Sequence, residues 1–186
     1  MGTDKKTYPT QSSLIGKKVY LKPTTVEETV QFEKWYLHSE PERISWKPQL
    51  FKSKDELSNE FKKNSSSLFE QSFSVFRKDD NMLLGMVSYS DYNPLNRSAE
   101  IDAIIDPQDR KNGFGEDALK TLIKYLFTYR DLNKVYGYAS ELNTEATAMF
   151  ELLHFEKDGA LRDHHFYRGE YKKLFVFSLL RFQAEL

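Results

Sequence analysis

Cysteine is absent from the chain. Disulfides, thiol nucleophiles and thiolate metal sites are therefore excluded, and redox chemistry says nothing about compartment. A surplus of positive charge is missing too: 27 Lys and Arg stand against 28 Asp and Glu, a formal net charge of -1. A general nucleic-acid binder needs a clear excess of cations on one face, so that class is set aside while local basic clusters stay in play. The sequence has no long uninterrupted apolar span and no charged-then-apolar leader, which argues against a membrane partner and makes the cytoplasm the default location. No internal repeat is present. Of the four histidines, His164 and His165 are neighbours. Their side chains would leave a strand on opposite sides and no third ligand accompanies them, so no metal site is expected.

What is present is a chain of 186 residues with 14 Phe and 11 Tyr, long enough for one domain with an aromatic-rich core. Residues 1–13 are polar without periodicity and read as a flexible tail, and residues 14–186 read as the domain. Lys18-Val19-Tyr20-Leu21-Lys22-Pro23 alternates and stops at proline, as a first strand would. Thr25-Val26-Glu27-Glu28 is a capping box that opens an amphipathic helix to about His38, and Ser53-Lys54-Asp55-Glu56 opens a second helix to about Lys63. Between them, Trp46 and Phe51 either pin the connecting loop to the core or line an acceptor pocket. Strand-like runs at Ser72 to Lys78 and Leu83 to Tyr89 flank the hairpin turn Asp79-Asp80-Asn81. Asn93-Pro94-Leu95-Asn96 then turns the chain into a strand that carries Glu100 and Asp102. A strand from Lys134 to Ala139, a helix from Asn143 to Leu153, and a hairpin of Ala160 to Tyr167 with Tyr171 to Leu180 across Arg168-Gly169 complete the reading.

The stretch from Asp106 to Glu116 organises the rest. A β-like run, Ala99 to Ile105, precedes it, and Ala118, Leu119, Leu122, Ile123, Leu126 and Phe127 come after it at helical spacing. It is a strand, a basic glycine turn and a helix start. The first N–H groups of a helix have no partner within it and sit at the positive end of its dipole, while Gly113 and Gly115 carry no side chain to block approach. That is the physics of a phosphate or pyrophosphate seat. Gly113-x-Gly115-x-x-Ala118 also fits the dinucleotide fingerprint, but there the first glycine comes closely after the strand. Here Pro107 to Asn112 intervene, with Arg110 and Lys111 among them, and too little chain remains for a doubly wound sheet. The GxxxxGK[ST] pattern of a nucleoside-triphosphate loop is missing. A left-handed helix-start turn without a ligand stays open.

Arg110-Lys111-Asn112-Gly113-Phe114-Gly115 is succeeded by Asn143-Thr144-Glu145-Ala146 and then Leu153-His154-Phe155. In this order (strand, [Gln/Arg]-x-x-Gly-x-[Gly/Ala], helix, strand, Asn-x-x-Ala, helix, Gly-Phe) the chain resembles the GNAT-type N-acetyltransferase superfamily. The closing Gly159-Ala160-Leu161-Arg162-Asp163-His164, Gly169-Glu170-Tyr171 and Phe177-Ser178-Leu179-Leu180, with the opening Val19-Tyr20-Leu21-Lys22-Pro23, is similar to the branch holding ribosomal-protein and spermidine N-acetyltransferases. Lys22 stands where that branch usually has arginine. The resemblance runs from Lys17 to Leu180. It implies a single α/β (α+β) domain with a mixed, mostly antiparallel sheet of about seven strands, flanked by about four helices, with a splay between strands 4 and 5.

The resemblance also implies an activity: direct transfer of acetyl from acetyl-coenzyme A to a primary amine of a small molecule, peptide or protein N-terminus. Arg110, Lys111, Asn112, Gly113, Phe114 and Gly115 would bind the pyrophosphate, mostly through backbone N–H groups. Backbone groups around Ile104 and Ile105 would pair with the pantetheine arm and polarise the thioester carbonyl. Asn143 would reach the arm from the other side while capping its own helix, and Ala146 and Phe150 would border the cofactor. A primary amine with a pKa of about 10.4 must shed a proton at pH 7, and Glu100 is the implied acceptor, with Asp102 on the same face two residues on.

Two positions depart from the pattern. Phe150 stands where many relatives carry a tyrosine assigned as the acid for the leaving thiolate, so Tyr138, Thr147, water or no acid at all remain open. His154 stands where a glycine usually ends the helix; a left-handed residue there costs on the order of 1 kcal/mol. These departures keep two further readings in play: a coenzyme A-binding sensor or partner module without turnover, and a transferase for another acyl group. A homodimer is compatible with the sequence.

Overall fold

The computed structural model describes residues 14–38, 51–64 and 67–184. The expected tail, residues 1–13, and Trp46 lie outside the described residues. Seven strands form one sheet: β1 (Val19–Pro23), β2 (Gln71–Arg77), β3 (Leu83–Asn93), β4 (Ser98–Ile105), β5 (Lys134–Ser140), β6 (Glu156–Tyr167) and β7 (Glu170–Leu180), in the order β1-β2-β3-β4-β5-β7-β6. Four helices accompany them: α1 (Val26–His38), α2 (Lys54–Asn64), α3 (Phe114–Tyr129) and α4 (Thr144–Leu152). The expected architecture is the one observed.

Both capping boxes close as the sequence requires. Thr25 N–H donates to Glu28 Oε2 at 2.8 Å while Glu28 N–H donates to Thr25 Oγ1 at 3.4 Å. Ser53 and Glu56 repeat the exchange at 2.8 and 3.3 Å. Phe51, just ahead of the second box, is 86% exposed, so it does not pin the loop to the core as one of its two expected roles required. The α3 stripe read from the sequence is the buried face: Ala118, Leu122, Leu126 and Phe127 are fully enclosed, against Val19, Val75, Val87, Ala99 and Val135 of the sheet.

The parallel pairing at the middle of the sheet decides where a ligand can enter. All neighbouring strands are antiparallel except β4 and β5, which run parallel and pair only at Ser98↔Lys134, Ala99↔Val135 and Glu100↔Tyr136. Beyond Glu100 the two strands part. This is the expected splay between strands 4 and 5. At its closed end, Lys134 Nζ and Ser178 Oγ both donate to Asp158, at 2.7 and 2.8 Å, tying the start of β5 to β6 and β7.

A carboxylate fastens the first strand to the helix that leaves the glycine turn. Asp117 of α3 accepts the backbone N–H groups of Lys17, Lys18 and Val19 at 3.0, 2.6 and 3.0 Å. A Cβ on Gly16 would stand 2.5 Å from Asp117 Oδ2, so the segment approaches the carboxylate through bare main chain.

Candidate active site

The splay opens a cleft of about 540 Å³. Of the residues expected at the site, Glu100, Asp102, Ile104, Ile105, Arg110, Lys111, Gly113, Gly115, Asn143, Ala146 and Phe150 all line it. Asn112 and Phe114 do not. The Asn112 carbonyl instead accepts from Lys18 Nζ at 2.9 Å, and the Phe114 ring packs on the core beneath the Arg77 guanidinium, 5.8 Å away.

The turn's shape comes from its own sequence. Asp106 Oδ1 accepts Gln108 N–H at 3.0 Å, and Pro107 starts a single 3-10 turn, Pro107–Asp109. Lys111 and Gly113 then take left-handed φ angles of 64° and 77°, a pattern that turns successive amides toward one side. Asp117 N–H is the first in α3 to reach a carbonyl behind it, Gly113 O at 3.1 Å. The amides of Phe114, Gly115 and Glu116 therefore precede the helical ladder. Arg110 is held from below, its Nε donating to Ile105 O at 3.4 Å.

Strand alternation decides which β4 amides face the opening. Asp106 N–H donates to Leu84 O on β3 at 2.8 Å, so Ile104 and Asp102 also turn their main-chain groups toward β3, whereas Ala103 and Ile105 turn theirs into the splay. Of the backbone groups around Ile104 and Ile105, those of Ala103 and Ile105 thus face the splay. The Ala103 N–H donates to the carboxylate of its neighbour Asp102 at 2.8 Å.

Across the gap, Asn143 is the N-cap of α4, its Oδ1 accepting Ala146 N–H at 2.9 Å. Ser140 sets the turn before it: its carbonyl accepts Asn143 N–H at 2.8 Å, its Oγ accepts Leu142 N–H at 3.3 Å, and the buried His165 Nδ1 lies 2.8 Å from the same Oγ. Phe150 is stacked on Phe177 with centroids 5.1 Å apart, and a Cβ on Gly137 would stand 2.5 Å from its ring. The close fit of ring to glycine leaves an apolar wall where a phenol would otherwise project. His154 has φ 62°. Its N–H reaches Glu151 O at 3.0 Å and Phe155 N–H reaches Phe150 O at 2.9 Å, the paired bonds of a Schellman ending made without glycine. The helix thus ends in the usual geometry, with the left-handed residue strained.

Glu100 and Tyr136 are register partners, so their side chains share a face. Tyr136 O–H donates to Asp91, a residue at positive φ in an irregularity of β3 between Ser90 and Asn93. Burial first, and Asp91 second, push the Tyr136 phenol well above its ordinary range. Tyr138, next on that face, lines the cleft while Thr147 does not. Sequence reasoning passed over Glu145 and Met149, which line the cleft as well; Glu145 had a signal, an acid in the Asn-x-x-Ala motif facing a basic turn.

A glycine turn at a helix start, set beside parallel strands that part after three residue pairs, is the acyltransferase arrangement the sequence resembles. The family model described as Acetyltransferase (GNAT) domain matches residues 18–156, and the chain belongs to that family, whose acetyl donor is acetyl-coenzyme A. Spermidine N(1)-acetyltransferase of Vibrio cholerae is 30% identical over 127 residues, covering 68% of this chain and 73% of the relative. Spermidine N(1)-acetyltransferase of Escherichia coli is 27% identical over 138 residues, covering 74% and 73%. The crystal structure of the V. cholerae spermidine N-acetyltransferase in complex with CoA and spermine superposes with a TM-score of 0.82 at 23% identity, covering 89% of this chain and 97% of that one. Among the described residues, no helix is long and apolar enough to cross a membrane.

Proposed function

We propose that the protein transfers acetyl from acetyl-coenzyme A directly to a primary amine of a small, multiply charged cation. The observation that carries this reading is the distribution of charge along one continuous cleft. Among the described residues both lining cations, Arg110 and Lys111, stand at the glycine turn, interspersed with Asp109, Glu116 and Glu145, while the charged lining of β4, Glu100 and Asp102, is acidic alone. An anionic donor and a cationic acceptor suit such a cleft from opposite ends. The named spermidine acetyltransferases among the relatives point the same way.

Acetyl-coenzyme A supplies an activated acetyl carbon and a thiolate leaving group. Arg110, Lys111 and the amides around Gly113 hold its pyrophosphate, with Gly115 leaving room beside Ile105 Cγ1, which a Cβ there would approach to 3.3 Å. Splay-facing main-chain groups of Ala103 and Ile105 pair with the pantetheine arm, with the Ile105 N–H polarising the thioester oxygen while the Ala103 N–H stays with Asp102, and Asn143 reaches the arm from α4. Glu100 anchors the acceptor's ammonium and takes one proton from it, directly or through water, before the neutral amine's lone pair forms the C–N bond; the second N–H proton leaves the adduct to restore the proton that Tyr138 gives up. When the C–S bond breaks, Tyr138 protonates the thiolate, because Phe150 carries no proton to give.

The test is thiol release from acetyl-coenzyme A with an amine panel of di- and polyamines, peptides with free N-termini and amino sugars. Polyamines should turn over fastest, and Glu100→Gln should abolish most of that turnover. Coenzyme A binding with no release for any amine would replace this reading with that of a non-catalytic cofactor-binding module.

A further inference from the structure

Three carboxylates line the donor end of the cleft: Asp109, Glu116 and Glu145. Two are paired with cations outside the glycine turn, Asp109 with Arg77 at 3.5 Å and Glu116 with Lys120 at 2.7 Å. Glu145, on the first turn of α4, instead faces the turn's own cations across the splay. Its carboxylate lies 4.0 Å from Arg110 Nη1 and 3.6 Å from Lys111 Nζ. The two side chains that would grip the pyrophosphate thus have an internal anion within ion-pair distance.

We propose that Glu145 sets the affinity of this seat by competing with the pyrophosphate for Arg110 and Lys111. A residue that only stabilised the fold would weaken binding when removed; a competitor does the opposite. Glu145 is about half exposed and Lys111 is 84% exposed, while Arg110, 16% exposed, meets Glu145 only at 4.0 Å, so each pair is readily exchanged for a doubly charged ligand. The arrangement lets the seat take the donor while keeping the spent coenzyme from being held too tightly. The inference rests on the assignment of the glycine turn as the coenzyme A seat, and its test separates the two.

The experiment is calorimetric titration of coenzyme A, and in parallel of pantetheine, which lacks the pyrophosphate, into four full-length proteins: wild type, Glu145→Gln, Arg110→Gln/Lys111→Gln, and the triple variant. Glu145→Gln should tighten coenzyme A about three- to tenfold, leave pantetheine unchanged, and change nothing in the background lacking both cations. Unchanged or weaker coenzyme A binding by Glu145→Gln overturns the inference. So does an equal gain in the triple variant, which would reduce Glu145 to general repulsion. If instead the Arg110/Lys111 variant binds coenzyme A as well as wild type, it is the assignment of these two side chains to the seat that fails. Melting temperatures of the unliganded proteins, expected to agree closely, exclude a fold effect.

Discussion

The two ends of the cleft are built in different ways. At the donor end the turn is made from contiguous residues: Asp106 caps Gln108, and Lys111 and Gly113 adopt left-handed angles that aim main-chain amides. At the other end the lining groups are side chains from separate strands, Glu100 and Asp102 of β4 and Tyr138 of β5, brought together by the β4–β5 pairing. Main chain recognises what all coenzyme A thioesters share, and side chains on paired strands are free to change with the acceptor. On the proposed function, specificity would follow the side chains of β4 and β5, and cofactor choice the short loop.

That division can be broken from either side. The largest effect is expected at the acceptor end: Glu100→Gln should lower kcat/KM for the amine by a factor on the order of 10²–10⁴, with coenzyme A affinity in titration unchanged. A matching loss of cofactor affinity would mean that the ends are not separable. Neutralising Arg110 and Lys111 together should weaken coenzyme A roughly ten- to hundredfold while kcat at saturating donor and the KM of the amine stay near wild type. A smaller effect is expected for Gly113→Ala. Its left-handed φ of 77° makes a side chain cost about 1 kcal/mol, read as a lower midpoint in urea, and among the described residues a Cβ would approach only the far end of the Lys18 side chain.

The smallest expected effect lies at the closed end of the splay, which serves both halves. The hydrogen bond from Lys134, reinforced by Ser178, holds the Asp158 carboxyl below its ordinary 3.8. The stability this contributes is fully present above that ordinary value and is lost as pH falls through the lowered one. Because the pair is more than a third exposed, it amounts to only a few tenths of a kcal/mol, about the level of a surface pair. Asp158→Asn should flatten that part of the acid-unfolding curve without altering coenzyme A binding at neutral pH.

The same division explains what the sequence made legible. The capping boxes at Thr25 and Ser53, the glycine turn and the Arg168-Gly169 hairpin are local, and the structure has them where the residues place them. Elements that depend on distant partners extend further than their own residues indicate. β3 runs to Asn93 rather than Tyr89, because Ser98 across the turn pairs with Asn93 despite a polar sequence and an irregularity at Asp91. β6 starts at Glu156 rather than Ala160, because β7 offers Ser178 and Phe177 to a charged stretch that has no strand pattern of its own. Ala103 escapes a reading of the sequence because which amides face the splay depends on the β3–β4 pairing, not on residue type. Glu145, an acid inside the Asn-x-x-Ala motif, gains meaning only when the β4–β5 splay sets it across from Arg110 and Lys111.

Asp117 ties amides from 98 to 100 residues away in the chain, and that has a kinetic consequence. The loop it closes spans more than half the molecule, so the contact is expected to form after the intervening strands have collapsed and to complete the start of α3 late in folding. In native-state hydrogen exchange, the amides of Lys17, Lys18 and Val19 should therefore open together with the first turn of α3, and Asp117→Ala should release both at once while leaving the β5–β7 amides protected.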